Sequence, residues 1–102
     1  MSELVLYRDE NFTQPFIIES MGKVDAGDEK SLRGYLKNEI ELDIEQIHYE
    51  TSDDDLFLDD LPSELKSDQS AVVFIKFKPK KTRELGLNSF ITIKGKKVVP
   101  PE

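Results

Sequence analysis

Five aspartates crowd a stretch of eight residues: Asp53, Asp54 and Asp55, then Asp59 and Asp60, with Leu56, Phe57 and Leu58 between them. Carboxylates this dense serve metal ligation, proton transfer or the attraction of a cationic surface. Metal ligation is poorly served. Asp53 and Asp55 match the first two ligand positions of a calcium loop, but the next falls on Phe57, and no glycine follows to make the sharp bend. Proton sharing fares no better, because neighbours such as Asp59 and Asp60 point to opposite faces of an extended backbone. Electrostatic binding remains. Asp53, Asp54, Asp55, Asp59 and Asp60 are therefore candidate partner-binding acids, and Phe57 is a candidate apolar anchor inside a charged rim. Leu56 and Leu58 are expected in the core.

The wider charge pattern points the same way. Residues 39–68 hold twelve acids and one base, Lys66, whereas 69–102 hold eight Lys or Arg and two acids. Glu39, Glu41, Asp43 and Glu45 alternate with Ile40, Leu42 and Ile44, so in an extended backbone the acids project on one side. Glu41, Asp43 and Glu45 join the candidate site on that ground, and the row would run on into the aspartates as one negative stripe. The leading function is a non-enzymatic interaction module that binds a basic protein partner through this surface. The alternative is an acidic DNA mimic that occupies the nucleic-acid-binding surface of a DNA-binding protein, where phosphates lie one per about 1.7 Å of duplex axis. A solvated loop that only aids solubility is the third reading.

The basic run Lys76, Lys78, Lys80, Lys81 and Arg83 lies near Phe74 and Phe77. It lacks the glycine–aromatic pattern of RNA-binding sheets, and its aromatics are assigned to the core, so no direct nucleic-acid contact is expected. Acidic face meeting basic face in a homo-oligomer is a further use of the polarity.

Composition excludes several classes. The chain has 102 residues, a net charge of −7 and no cysteine, so thiolate metal sites, disulfides and thiol nucleophiles are absent. His48 is the only histidine, and the five glycines are scattered rather than gathered into a phosphate loop. No enzyme, cofactor or metal is expected. Neither a leader pattern nor a membrane-spanning apolar run is present, and the expectation is a cytoplasmic protein without membrane contact.

The elements that must position these residues follow from periodicity. Leu4 to Tyr7 reads as a strand, Asp9-Glu10-Asn11 as a turn, and Phe16-Ile17-Ile18 as the return of a first hairpin. Asp28 suits a helix N-cap, with Glu29 in the first turn. Leu32, Tyr35, Leu36 and Ile40 then fit one helical face, predicting a helix over 29–40 despite Gly34, which costs about 1 kcal/mol relative to Ala. Ile47, Tyr49 and Thr51 alternate as a half-buried strand, and 61–65 suits one helical turn. The stretch 71–78 is apolar on both faces over Val72 to Ile75, which predicts a central strand ended by Pro79. Residues 90–93 and Val98-Val99 flank Lys94-Gly95-Lys96 as a C-terminal hairpin.

This order of hairpin, helix, strand, loop and central strand resembles the ubiquitin-like β-grasp domains over residues 3–79. Leu4-Val5-Leu6-Tyr7 is similar to their first strand, Phe16-Ile17-Ile18 to the second, Leu32 to Ile40 to the helix, Ile44 to Tyr49 to the third strand and Val72 to Phe77 to the last. His48-Tyr49-Glu50 through Asp53-Asp54-Asp55 resembles the acidic loop of the PB1-type branch, without the glycine that separates its acids. The chain ends in Pro-Pro-Glu and lacks the Gly-Gly of a conjugated modifier. Length and the order of elements predict an α+β fold: one domain over 1–99 with a mixed sheet of about four to six strands, one main helix and a frayed tail at 100–102, and the resemblance implies that its core is a β-grasp.

Overall fold

In the computed structural model, which describes residues 3–17, 22–86 and 89–99, the chain forms nine strands and no helix among those residues. They are β1 (Leu4–Tyr7), β2 (Lys23–Val24), β3 (Lys30–Asn38), β4 (Ile44–Thr51), β5 (Leu56–Asp59), β6 (Glu64–Leu65), β7 (Ser70–Phe77), β8 (Arg83–Glu84) and β9 (Ile91–Lys97). A four-stranded sheet has the order β1-β3-β7-β5, a three-stranded sheet β6-β4-β9, and β2 pairs with β8 as a short ribbon. Every pairing is antiparallel.

The domain is therefore all-β, which overturns the α+β expectation with its mixed sheet and main helix. The helix predicted over 29–40 is the strand β3, paired with β7 from Lys30↔Phe77 to Lys37↔Ser70. Leu32 and Leu36 are four residues apart, a spacing that shares one face in a helix and in a strand alike. Burial decides for period two: Gly34, Leu36 and Asn38 are buried, whereas Arg33 is exposed and Tyr35 and Lys37 are half-buried on the opposite face. Gly34 belongs in this strand for a packing reason. A Cβ there would lie 2.9 Å from both Ile75 Cδ1 and Leu6 Cδ1. Asp28, expected as an N-cap, instead closes a turn by donating its N–H to the Asp25 carbonyl at 2.9 Å.

Three smaller expectations also change. The helical turn over 61–65 is replaced by β6. The C-terminal hairpin is instead one continuous strand, β9, which runs through Lys94-Gly95-Lys96 along β4. The residues 39–43 connect β3 to β4 and are not extended. In the first hairpin, the return reaches β1 at the Tyr7↔Pro15 bridge and through a Phe16 N–H bond to the Leu6 carbonyl at 2.9 Å; Ile18 lies outside the described residues, as does the predicted tail 100–102. The β7 stretch does lie inside its sheet, between β3 and β5.

One core joins the layers. Leu36, Val73, Ile75, Phe77, Leu56 and Leu58 come from the large sheet, and Ile44, Ile47 and Leu65 from the smaller one. Val24 and Leu85 close it beside the ribbon. Each such side chain contributes about 1.5–3 kcal/mol of transfer free energy. β4 reaches this core through a bulge: its register with β9 jumps between Glu45 and His48, and Gln46 adopts φ 53°. The extra residue turns both Ile44 and Ile47 inward. Opposite them Gly95 supplies the room, for a Cβ there would sit 2.3 Å from Ile44 Cγ2.

Among the described residues, Asn38 is the one buried polar side chain. Its amide donates to the Leu42 carbonyl at 2.7 Å and the Leu65 carbonyl at 3.1 Å, and its oxygen accepts from Ile40 N–H at 3.1 Å. It thereby fixes the 39–43 connection against β6.

Candidate interaction surfaces

The aspartate turn between β4 and β5 is held from within. Asp53 Oδ1 accepts the Asp55 N–H at 2.9 Å, a side chain closing its own turn, and the Asp53 carbonyl accepts from Thr51 Oγ1 at 2.8 Å. Arg83 reaches across from β8. Its Nη2 donates to Asp53 Oδ1 at 2.7 Å and to Asp55 Oδ2 at 2.9 Å, while its guanidinium stands 5.0 Å from the centre of the Phe77 ring. Both carboxylates are largely covered, at 17% and 14% side-chain exposure. Arg83 holds the Asp53 carboxyl below the usual carboxylate range, against a smaller opposing effect of burial. The two aspartates in turn push the Arg83 guanidinium up. Asp54 alone of the three is exposed.

The second aspartate pair is partly neutralised too. Lys76 on β7 donates to Asp59 Oδ2 at 3.0 Å and lies 3.4 Å from Glu29. The bond to Lys76 lowers the Asp59 carboxyl, and the same bond raises the Lys76 ammonium, aided by Glu29. Asp60 is exposed at φ 63° and gives its N–H to Asp59 Oδ1 at 3.1 Å. Phe57 is half-buried and directly opposite Lys76. It lies on the outer face of the four-stranded sheet and not in the rim of the turn, because Leu56 and Leu58 take the inner positions.

That outer face was missed by the sequence reading. It presents Tyr7, Tyr35, Val72, Phe74 and Phe57, with Arg33 5.9 Å from the Phe74 ring centre and Lys37 4.9 Å from that of Phe12. Tyr7 donates its hydroxyl to Glu39, and that bond raises its phenol pKa. Phe77 does belong to the core, whereas Phe74 belongs to the outer face. The alternation Val73, Ile75, Phe77 against Val72, Phe74, Lys76 was the available signal.

The remaining candidate acids gather at the opposite end of β4 from the aspartate turn. Glu41 and Asp43 lie in the connection before β4, and Glu45 on β4 stands directly opposite Glu64 on β6. Like charges facing each other across a strand pair repel. On its other side Glu45 faces Lys96 of β9. Asp43 is tied inward, accepting Ser67 N–H at 3.0 Å. Glu41, Leu42, Asp43 and Val98 line a cavity of about 190 Å³. The eight residues of β4 separate this end from Asp53 to Asp55, roughly 25 Å at strand spacing. The single negative stripe is thus two separate acidic regions. Glu64 and Val98 were not found from the sequence, since only the pairing of β6 and the reach of β9 bring them here.

Among the described residues, no group of three or more His, Cys, Asp or Glu side chains is placed to hold a metal ion, and no helix is long and apolar enough to cross a membrane. His48 is exposed on β4, its Nδ1 at 3.1 Å from the Gln46 carbonyl. Comparison with family models, curated proteins and solved structures returns no match.

Proposed function

We propose that this chain is a non-catalytic protein-interaction module that takes a basic segment of a partner protein at the acidic end formed by Glu41, Asp43, Glu45 and Glu64. The cavity bounded by Glu41, Leu42, Asp43 and Val98 carries this reading. A lysine or arginine has an aliphatic stem and a charged head, and this cavity is lined by two apolar and two acidic residues. Glu45 and Glu64, directly opposite each other on β4 and β6, add negative charge at this end of β4. The aspartate turn is the weaker candidate, because Arg83 and Lys76 already engage Asp53, Asp55 and Asp59. The nucleic-acid-mimic alternative calls for carboxylates spread along one surface, and the gap along β4 favours a local basic segment instead.

The test is titration of a lysine-rich peptide into the protein by NMR, at low and at physiological salt. Expected are shifts centred on 41–45 and 64, with affinity falling as salt shortens the screening length to about 8 Å. Glu41→Lys with Glu64→Lys weakens binding at least about tenfold at low salt, through charge reversal at exposed positions. Asp54→Lys leaves it close to wild type. Loss of binding in the Asp54 variant alone places the site at the aspartate turn and defeats the proposal.

A further inference from the structure

At the start of β9, away from the acidic end, two strand edges face a groove lined by mostly apolar residues and by open backbone groups. Leu4, Val5 and Leu6 of β1, Phe16, and Ser89, Phe90 and Ile91 enclose about 290 Å³. This is near the lower limit for small-molecule sites, about 300 Å³. Among the described residues no titratable side chain lines it, so none of them offers a charged metabolite a partner there. Phe90 is 58% exposed at its mouth.

On both sides backbone groups point away from the existing strand ladders. Glu39 N–H bonds the Glu3 carbonyl, and Phe16 N–H bonds the Leu6 carbonyl from the side away from β3. Hydrogen bonds alternate along an antiparallel strand, so Leu4 directs its N–H and carbonyl to the open side. On β9, Ser52 N–H bonds the Phe90 carbonyl at 3.1 Å. By the same alternation Thr92 and Lys94 serve the β4 ladder, and Ile91 and Ile93 offer their N–H and carbonyl groups outward. Edges of this kind accept a further strand, with main-chain bonds for affinity and side-chain pockets for selectivity.

We infer that this groove receives an extended segment of a partner protein as an added strand along β9, with alternate apolar side chains entering between Leu4, Phe16 and Phe90. The charge around it selects the outward residues. Lys94 and Lys96 project from the solvent face of β9 and carry no ion pair among the described residues. The occupant is therefore an apolar–acidic alternating strand, the converse in charge of the segment proposed for the acidic end.

A synthetic peptide of about eight residues alternating isoleucine and glutamate, the length of an ordinary strand, serves as the probe. Binding is followed by NMR and amide hydrogen exchange on the full chain. Saturable binding that protects the amides of Leu4, Ile91 and Ile93 is expected. It should persist at high salt because main-chain bonds and apolar contact carry it. Phe90→Arg, at an exposed position, should weaken it about tenfold, the scale of one lost aromatic contact, while the circular dichroism spectrum stays unchanged. A same-composition peptide with its isoleucines and glutamates in blocks should bind far more weakly. Equal binding of the two peptides, indifference to Phe90→Arg, protection confined to other amides, or no binding overturns the inference. Glu41→Lys with Glu64→Lys, leaving this binding intact, separates its fate from that of the acidic end.

Discussion

Gly95→Ala tests the pairing on which both proposed surfaces depend. An alanine Cβ at this position would stand 2.3 Å from Ile44 Cγ2, over 1 Å inside ordinary van der Waals contact, and 3.2 Å from the Glu45 carbonyl oxygen and Ile47 Cγ1. Ile44 has no exposed surface, so it has nowhere to retreat, and the carbonyl belongs to the bulge backbone. Replacing glycine in a tolerant strand position gains about 0.4–1 kcal/mol by restricting the unfolded chain. Overpacking a filled core costs about 1–3 kcal/mol, and a contact this short lies at the upper end. The clash wins, with a net loss of about 2 kcal/mol. For a domain near this size that lowers Tm by about 8–16 °C. Urea unfolding followed by far-ultraviolet circular dichroism reads the change, as the chain has no tryptophan. Ile44→Ala alone should cost about 2–5 kcal/mol. In the double variant the offending methyl is gone, so its loss should fall short of the sum of the two by about 1 kcal/mol or more. A Gly95→Ala protein as stable as wild type, or strictly additive behaviour, would refute the register of β4 on β9.

Arg83→Met should strip Asp53 and Asp55 of their cation and destabilise the protein at neutral pH. Because Asp53 is lowered in the folded state, its contribution is present above the unfolded aspartate pKa of about 3.9 and is lost as pH falls through the lower folded value. The stability gap between wild type and Arg83→Met should therefore narrow below about pH 4; a gap constant down to full protonation would contradict the clamp. Asn38→Ala should cost about 2–3 kcal/mol in chemical unfolding, since it orphans the Leu42 and Leu65 carbonyls and the Ile40 N–H. Asn38→Asp should not recover that loss, because a carboxylate cannot supply the two amide donations. The peptide titrations with Glu41→Lys plus Glu64→Lys and with Phe90→Arg complete the set.

Much of the candidate site was legible as residues but not as a place. Density of aspartate marked the 53–60 stretch, and alternation marked Glu41, Asp43 and Glu45. That Asp53 and Asp55 turn inward was not legible, because their cation, Arg83, stands thirty and twenty-eight residues further along the chain. The same holds for Glu64 opposite Glu45, a neighbour created by strand pairing alone.

By itself the sequence pointed to the inward fate of Leu56 and Leu58, the interior place of 71–78 within its sheet and the alternation of 47–51. Tertiary structure decided the rest. Leu32 and Leu36 fit a helix and a strand equally, since four residues return to the same face in both periods. The ladder to β7 broke that tie, and Gly34 let Ile75 and Leu6 close over it. Lys94-Gly95-Lys96 has the composition of a turn, yet Gly95 lies within β9, making room for the bulge that points Ile44 and Ile47 into the core. Local propensity fixes which conformations a segment can adopt, and the partner that buries it selects among them.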